Sequence, residues 1–594
     1  MAENSRNEMA STSVAESASR NPVNRRHSSD EPAGNTVTQP HPESSNKTLL
    51  AVGIFLLVFG IYALSGPGRI DIIDGEIRFD VALNWLTKGS PIVTDHWVGP
   101  IMSVSGRDGL YYSFYGPAGS VFSVPLVWLG VIAGAPSIQP SQFLFSLTSS
   151  IFGAGIASIL FLFYAELGIS LRRASAWTMV GSFATYVWAI STSSFDNAQH
   201  AFFAITALYF AFLSARRKSW AYALYGGLFA GILFLYQEYF LLIIPVLALA
   251  AFDGLFANRF AESAAAEDAG PKLREAFHTI GARLRAALKG PGDARNACIR
   301  YGIFLAAVSV GIFLMLAYND LRFGSWFEDG KFRFLALQRH PPAMGNPLSG
   351  LLTLLLSPGK SVFLYSPPLI LALFGFRKLW RRQPQLALVI AATSLLLLFF
   401  ISCLSFAGGD WCWGPRYLAP LLPLWALAFP FIPQPDRKRG LLIAVIAAGI
   451  VVQLLALSVE NQRFFFARGL NDFFWAEDPW FYFKHSALFA RFGEALSLFQ
   501  GLPPNAHLFN SIPTPDWSTY SLLGPPINIP RAAAPVWMQN YKIFYLPRPW
   551  PLWASALDPA KRPIALAPWM SGLLGSIILG AGFIFRELRQ GETE

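Results

Sequence analysis

Charge is scarce in this chain. Only 14% of its 594 residues are Asp, Glu, Lys or Arg against 53% hydrophobic, and the mean hydropathy is +0.40. A water-soluble globule carries about 25% charged residues, so that class is excluded. Cysteine is nearly absent as well. Cys298, Cys403 and Cys412 are too few and too unevenly placed for a disulfide framework, and none stands at metal-ligand spacing. The net charge of +10 would suit nucleic acid if it sat on one soluble surface. The basic residues instead fall in short clusters between hydrophobic runs, which excludes nucleic acid as a partner and fits positive-inside topology.

What the chain has in quantity is apolar length. Runs able to cross about 30 Å of hydrocarbon recur about twelve times, and 18 Trp with 51 Phe suit aromatic belts. The expected fold class is an all-α polytopic membrane protein. Its spans are read at 48–66, 141–167, 175–194, 199–214, 219–236, 240–256, 301–318, 361–376, 384–404, 418–433, 440–459 and 566–585. Residues 1–46, rich in Ser, Asn, Glu and Pro, are expected to be a disordered cytoplasmic tail. The first span follows Arg25, Arg26 and Lys47 and reads as a signal anchor, not a cleaved signal peptide.

If every apolar run crossed, Arg172–Arg173 and Arg216 to Lys218 would lie outside. One run must therefore not cross. Gly119 to Gly134, interrupted by Pro125, is assigned to the outer interface as a juxtamembrane helix of the first outer loop, 67–140. The basic loops at 171–173, 215–218, 257–300, 377–382 and 436–439 then face the cytoplasm, as do both termini. The expected organisation is a transmembrane core over 47–459, an extracytoplasmic membrane-proximal segment over 460–565, and a final helix with a cytoplasmic tail over 566–594. A bacterial inner membrane is the expected location.

The unusual polar chemistry gathers on the opposite side. Asp71, Asp74, Glu76 and Asp80 follow the first span after Pro67–Gly68. A glycine between Asp74 and Glu76 permits a tight turn that aims a carboxylate at the lipid surface, where a general base must reach an acceptor hydroxyl. Asp196 and His200 stand four residues apart at the end of a span, on one helical face; a helix N-cap and a hydrogen-bonded interfacial histidine are the structural alternative. Lys360, in SPGKSVFLYSP, is placed near the interface, as a phosphate contact or a snorkelling lysine. Arg416, in GGDWCWGPRYL, stands where a loop meets a span and an unpaired charge costs roughly 2 to 4 kcal/mol, so a partner is expected. That partner is a phosphate, Asp410 or another carboxylate. Glu238, in YQEY, orders Arg416, binds a substrate hydroxyl or faces water.

Together with YYSFYGPAGS, FDNAQH and NDLRFGS, these motifs resemble the GT-C superfamily of integral-membrane glycosyltransferases, which includes protein mannosyltransferases and aminoarabinose transferases. The resemblance covers residues 48–433 and is one of pattern. It implies a polyprenyl-phosphate-linked sugar donor and a lipid, polysaccharide or protein acceptor. It places the catalytic carboxylate on Asp74, with Glu76 next. Relatives often carry a lysine where this chain has Phe114, so phosphate neutralisation falls to Arg416, Lys360 or a divalent cation. The competing readings are a polytopic transporter or lipid flippase and a non-catalytic cell-envelope assembly protein. Against transport, the ionisable residues gather at outer helix ends and the sequence shows no convincing repeat.

Overall fold

Apolar length becomes continuous helix over much of this chain, and three of the four broken spans carry proline at the break. The structure is a computed structural model that describes residues 42–94, 102–134, 139–252, 293–337, 344–409, 412–433, 439–458, 486–499 and 562–590, with 481 and 483. The expected tail up to residue 41, the basic loop up to residue 292, Asp410 and most of 460–565 lie outside the described residues. The chain divides into Met1–Ser45 and Asn46–Glu594, and the fold is that of the second unit.

Among the described residues, seven helices are long and apolar enough to cross a membrane: Lys47–Ser65, Pro140–Glu166, Asn197–Arg216, Arg295–Phe323, Pro384–Ser402, Arg439–Ser458 and Ala567–Arg589. Each coincides with an expected span. The elements used below are α1 (Pro42–Ser65), α2 (Ile73–Lys88), β1 (Ser103–Ser105), β2 (Tyr111–Ser113), α3 (Ala118–Gly134), α4 (Thr148–Glu166), α5 (Asn197–Arg216), α6 (Trp220–Tyr236), α7 (Asp293–Phe323) and α8 (Lys331–Leu337). In α5, 83% of the apolar window is buried, against 11% in Ala567–Arg589, so α5 is central and the last helix peripheral.

Four other expected spans are broken. The 175–194 run becomes Leu171–Phe183 and Val187–Ser191. The 240–256 run alternates short 3-10 and α segments around Pro245 up to Ala251. Residues 361–376 divide at Pro367 and Pro368 into Val362–Tyr365 and Pro368–Arg382, and residues 418–433 are cut by Pro420, Pro423 and Pro430. Proline lacks the donor an interior turn needs and clashes with the preceding one. Freed polar groups find side-chain partners: Tyr186 N–H donates to Ser366 Oγ at 2.9 Å and Tyr186 Oη donates to the Pro415 carbonyl at 3.0 Å. In a water-poor environment such pairing is obligatory. All three cysteines are free thiols.

The two ends of the bundle differ in charge. At one end Arg217 pairs with Glu166 at 2.7 Å, Arg173 donates to the Pro430 carbonyl at 3.0 Å and Gln385 donates to the Leu249 carbonyl at 2.6 Å. There the basic clusters at 172–173, 216–218 and 381–382 meet. The other end holds the break after α1, the start of α5 and the end of α6. There α2 packs on α3, the apolar helix expected at the interface. The β1–β2 hairpin, with Val104 opposite Tyr112, packs on Phe323 at the end of α7.

Candidate active site

The break after α1 delivers the chain into α2, and Asp71 fixes where that happens. Its carboxylate accepts from the Ser194 N–H at 2.6 Å and the Ser193 hydroxyl at 2.9 Å. The first loop is thus clamped to the turn that starts α5. Gly75 allows the approach, since a Cβ there would lie 2.7 Å from Ser194 Cβ. This corrects the expected tight turn: Gly75 is an ordinary helical residue, and closeness is what requires glycine. Asp80 is also occupied, accepting from Thr94 N–H at 2.7 Å and Asn84 Nδ2 at 3.0 Å. Glu76 is buried, about 200° around the helix from Asp74.

Asp74 is placed differently. Tyr115 Oη donates to its Oδ1, and Arg416 Nη1 lies 3.7 Å from the same oxygen. Among the described residues both contacts engage Oδ1, which leaves Oδ2 to take a proton. Arg78, one turn further along α2, donates to the Asp74 carbonyl at 2.9 Å and pairs through Nη2 with Asp196 Oδ2 at 2.8 Å. Its guanidinium lies 4.2 Å from the Tyr115 ring centre, and His200 Nε2 is 3.4 Å from Asp196 Oδ2. Asp196 stands at the N-cap position of α5 without capping it, because its carboxylate is turned to Arg78.

The electrostatics follow from burial and pairing. Burial opposes ionisation of Asp196, but Arg78 and then His200 outweigh it and hold the carboxyl well below the usual range. Burial works to lower the Arg78 pKa, yet Asp196, Tyr115 and Asp74 together raise it. Burial, reinforced by the Asp74 charge, raises Tyr115 well above an ordinary phenol, so Tyr115 keeps its proton and donates it in the hydrogen bond. Two carboxylates face two guanidiniums, and the set is charge-balanced.

Arg416 is held over the Phe195 ring at 4.1 Å and donates to Tyr417 Oη at 3.2 Å. Its loop turns at Gly409 (φ 76°), where a Cβ would come within 2.7 Å of Arg416 Cγ. Among the described residues Arg416 faces the carboxylate of Asp74, one of the expected alternatives, while Asp410 lies outside them. Lys360 does not extend outward as a snorkelling lysine would. It is buried, donating to the Cys412 carbonyl at 2.8 Å and the Gly414 carbonyl at 3.4 Å, and so supports the loop that carries Arg416. Glu238 does not order Arg416; it pairs with Lys331 at the start of α8.

Among the expected residues, Asp74, Asp196, His200 and Arg416 thus converge, and Glu238 and Lys360 have other partners. Sequence reasoning missed four residues. Arg78 carried a signal, standing four residues after Asp74 on the same helix face. Tyr115 and Arg322 lay inside motifs already singled out. Arg322 donates to the Ser113 and Tyr115 carbonyls and pairs with Asn319 Oδ1 at 2.7 Å, which fixes the strand end that presents Tyr115. Lys331 had no signal beyond its charge. Among the described residues no group of three or more His, Cys, Asp or Glu could hold a metal ion, and each carboxylate of the quartet already faces a cation.

No protein-family model and no curated protein matches the chain. Solved structures do. ArnT from Cupriavidus metallidurans bound to undecaprenyl phosphate is 12% identical over 91% of this chain and 78% of its own, with a TM-score of 0.42. The Archaeoglobus fulgidus oligosaccharyltransferase tethered with an acceptor peptide is 14% identical over 82% of this chain and 61% of its own, at 0.41. The arabinosyltransferase EmbB from Mycobacterium smegmatis is 12% identical over 92% of this chain and 42% of its own, at 0.38. At such values the likeness concerns the course of the chain, and the chemistry is read from this chain's own residues.

Proposed function

We propose that the chain is a membrane glycosyltransferase that moves a sugar from a polyprenyl-phosphate-linked donor to an acceptor hydroxyl on a lipid, polysaccharide or protein. The supporting observation is the setting of Asp74: a carboxylate at a helix end, fixed through one oxygen by Tyr115 and Arg416 and presenting the other. In this reading Asp74 Oδ2 takes the proton of the acceptor hydroxyl as its oxygen forms a bond to the anomeric carbon. The bond from that carbon to the phosphate oxygen breaks, and the polyprenyl phosphate leaves with the electron pair. Arg416 meets the charge that grows on it. Asp196, Arg78 and His200 hold the geometry and line the substrate side.

The separation of charge along the bundle supports an extracytoplasmic site, since the basic end belongs in the cytoplasm. An inner membrane of a bacterium, with both termini cytoplasmic, is part of the same proposal. The test is reconstitution in proteoliposomes with a radiolabelled polyprenyl-phosphate sugar. Label transferred to an acceptor, with release of polyprenyl phosphate, is the expected result. Substrate flux across the vesicle without consumption of the donor would refute the reading and favour a transporter.

A further inference from the structure

The buried charges of the site cancel. Asp74 and Asp196 are matched by Arg416 and Arg78, so the quartet has no cation in excess. A lipid-linked phosphodiester adds one negative charge at its edge. When the bond to the sugar breaks, the leaving phosphate carries a second. A buried charge without a partner is costly, so the arrangement calls for another cation beside Arg416.

Lys331 is in position to supply it. It opens α8, and Phe334, one turn later, packs on Phe114 with ring centres 4.2 Å apart. The residue after Phe114 is Tyr115, whose hydroxyl reaches Asp74. On the other side Lys331 pairs with Glu238, and its ammonium is 3.6 Å from Asp329. Glu238 precedes Tyr239, which packs on Phe240 at 4.4 Å, and Phe240 packs on His200 at 5.1 Å. The pair therefore stands at the rim of the site, linked to Asp74 through Tyr115 and to Asp196 through His200. Its side chains are each 29% exposed, whereas those of Asp74 and Arg416 are 11% and 9% exposed. Among the described residues Lys331 forms ion pairs with Glu238 and Asp329, and Glu238 also acts electrostatically on the buried Arg322. Neither is tied to backbone as Asp71, Asp80 and Lys360 are. A half-exposed pair of this kind is held weakly and can exchange partners.

We propose that Lys331 is a donor-binding residue whose ammonium exchanges Glu238 for the phosphate of the lipid-linked donor. Glu238 holds the lysine at the rim while the site is empty and competes with the donor for it. The inference rests on the glycosyltransferase reading and adds to it a second cation for the phosphate.

The competition gives opposite signs to two substitutions that break the same ion pair. In reconstituted full-length protein, Lys331→Met raises the KM for the polyprenyl-phosphate sugar about tenfold, the loss of one charge-assisted contact, while kcat changes far less. Glu238→Gln lowers that KM, and Lys331→Arg stays near wild type. Equilibrium binding of undecaprenyl phosphate is measured beside turnover, and it weakens in Lys331→Met and tightens in Glu238→Gln. A purely structural ion pair would make the two variants move the same way. That result, or donor KM and lipid-phosphate binding unmoved in Lys331→Met while wild type turns over normally, overturns the role of Lys331 alone. Wild type that consumes no donor but binds undecaprenyl phosphate with these opposite shifts overturns the glycosyltransferase reading and supports the lipid-phosphate site. Wild type that neither consumes the donor nor binds the lipid phosphate overturns both.

Discussion

Arg78 joins the two halves of the site, and its pairing with Asp196 can be measured. The pair is 2.8 Å long, with side chains 5% and 9% exposed. Removing either partner leaves a charge buried, with a cost of about 3 to 5 kcal/mol. Arg78→Met leaves Asp196 with the His200 imidazole at 3.4 Å and the weaker influence of Arg416. Asp196→Asn leaves Arg78 with the Asp74 carbonyl and the Tyr115 ring. If the two charges exist for each other, the double variant should lose about as much as one single variant, because the second substitution removes the charge the first had stranded. The coupling should then be on the order of 3 kcal/mol, far above the roughly 0.5 kcal/mol expected of independent sites. Denaturant unfolding of the detergent-solubilised protein gives the four values of the cycle. Strict additivity would refute the reasoning and leave Arg78 as a packing residue over Tyr115.

Other outcomes follow from the same geometry. Arg416→Ala should lower kcat by about 100- to 1,000-fold, the usual cost of removing a group aimed at developing charge, and Arg416→Lys should recover only part, because an ammonium cannot reproduce the planar fork; steady-state transfer assays decide. Tyr115→Phe keeps the ring under Arg78 but removes a hydrogen bond to a carboxylate worth about 1.5 to 3 kcal/mol, so turnover should fall about tenfold or more in the same assay while the protein stays folded. Lys360→Met removes the ammonium from the Cys412 carbonyl and should cost about 1 to 3 kcal/mol of stability, seen as a lower denaturant midpoint. Because the folded pKa of Asp196 is depressed, its contribution to stability is present above its ordinary value of 3.8 and is lost as pH falls below it. Wild type should therefore lose stability in that acid window and Asp196→Asn should lose less, as read from melting temperature against pH.

Hydropathy made the helical class and the seven long spans legible, because these depend on composition along one segment at a time. The convergence of Asp74, Asp196 and Arg416 was legible for the same reason: all three stand where polar motifs meet span ends. What sequence could not supply was pairing between distant segments. Arg78 stands four residues after Asp74, and nothing in local spacing shows that Asp196 is its partner. Lys360 looked interfacial because a lysine beside a span usually snorkels, yet the carbonyls of the 412–414 loop take its ammonium inward. Gly75 looked like a turn residue, whereas its absent side chain makes room for Ser194. The prolines in three of the broken spans were visible; the break at 184–186 was not, since it carries no proline and its Tyr186 is held by Ser366 and Pro415, far along the chain.

The central claim is that Asp74 removes the acceptor proton, and single-turnover transfer by Asp74→Asn tests it most directly. Asparagine preserves the size of the side chain and can still meet Tyr115, so folding is checked by an unchanged melting profile and unchanged donor binding. The account predicts a variant that binds the polyprenyl-phosphate sugar and transfers it at least about 100-fold more slowly. Transfer by folded Asp74→Asn at the wild-type rate would contradict it.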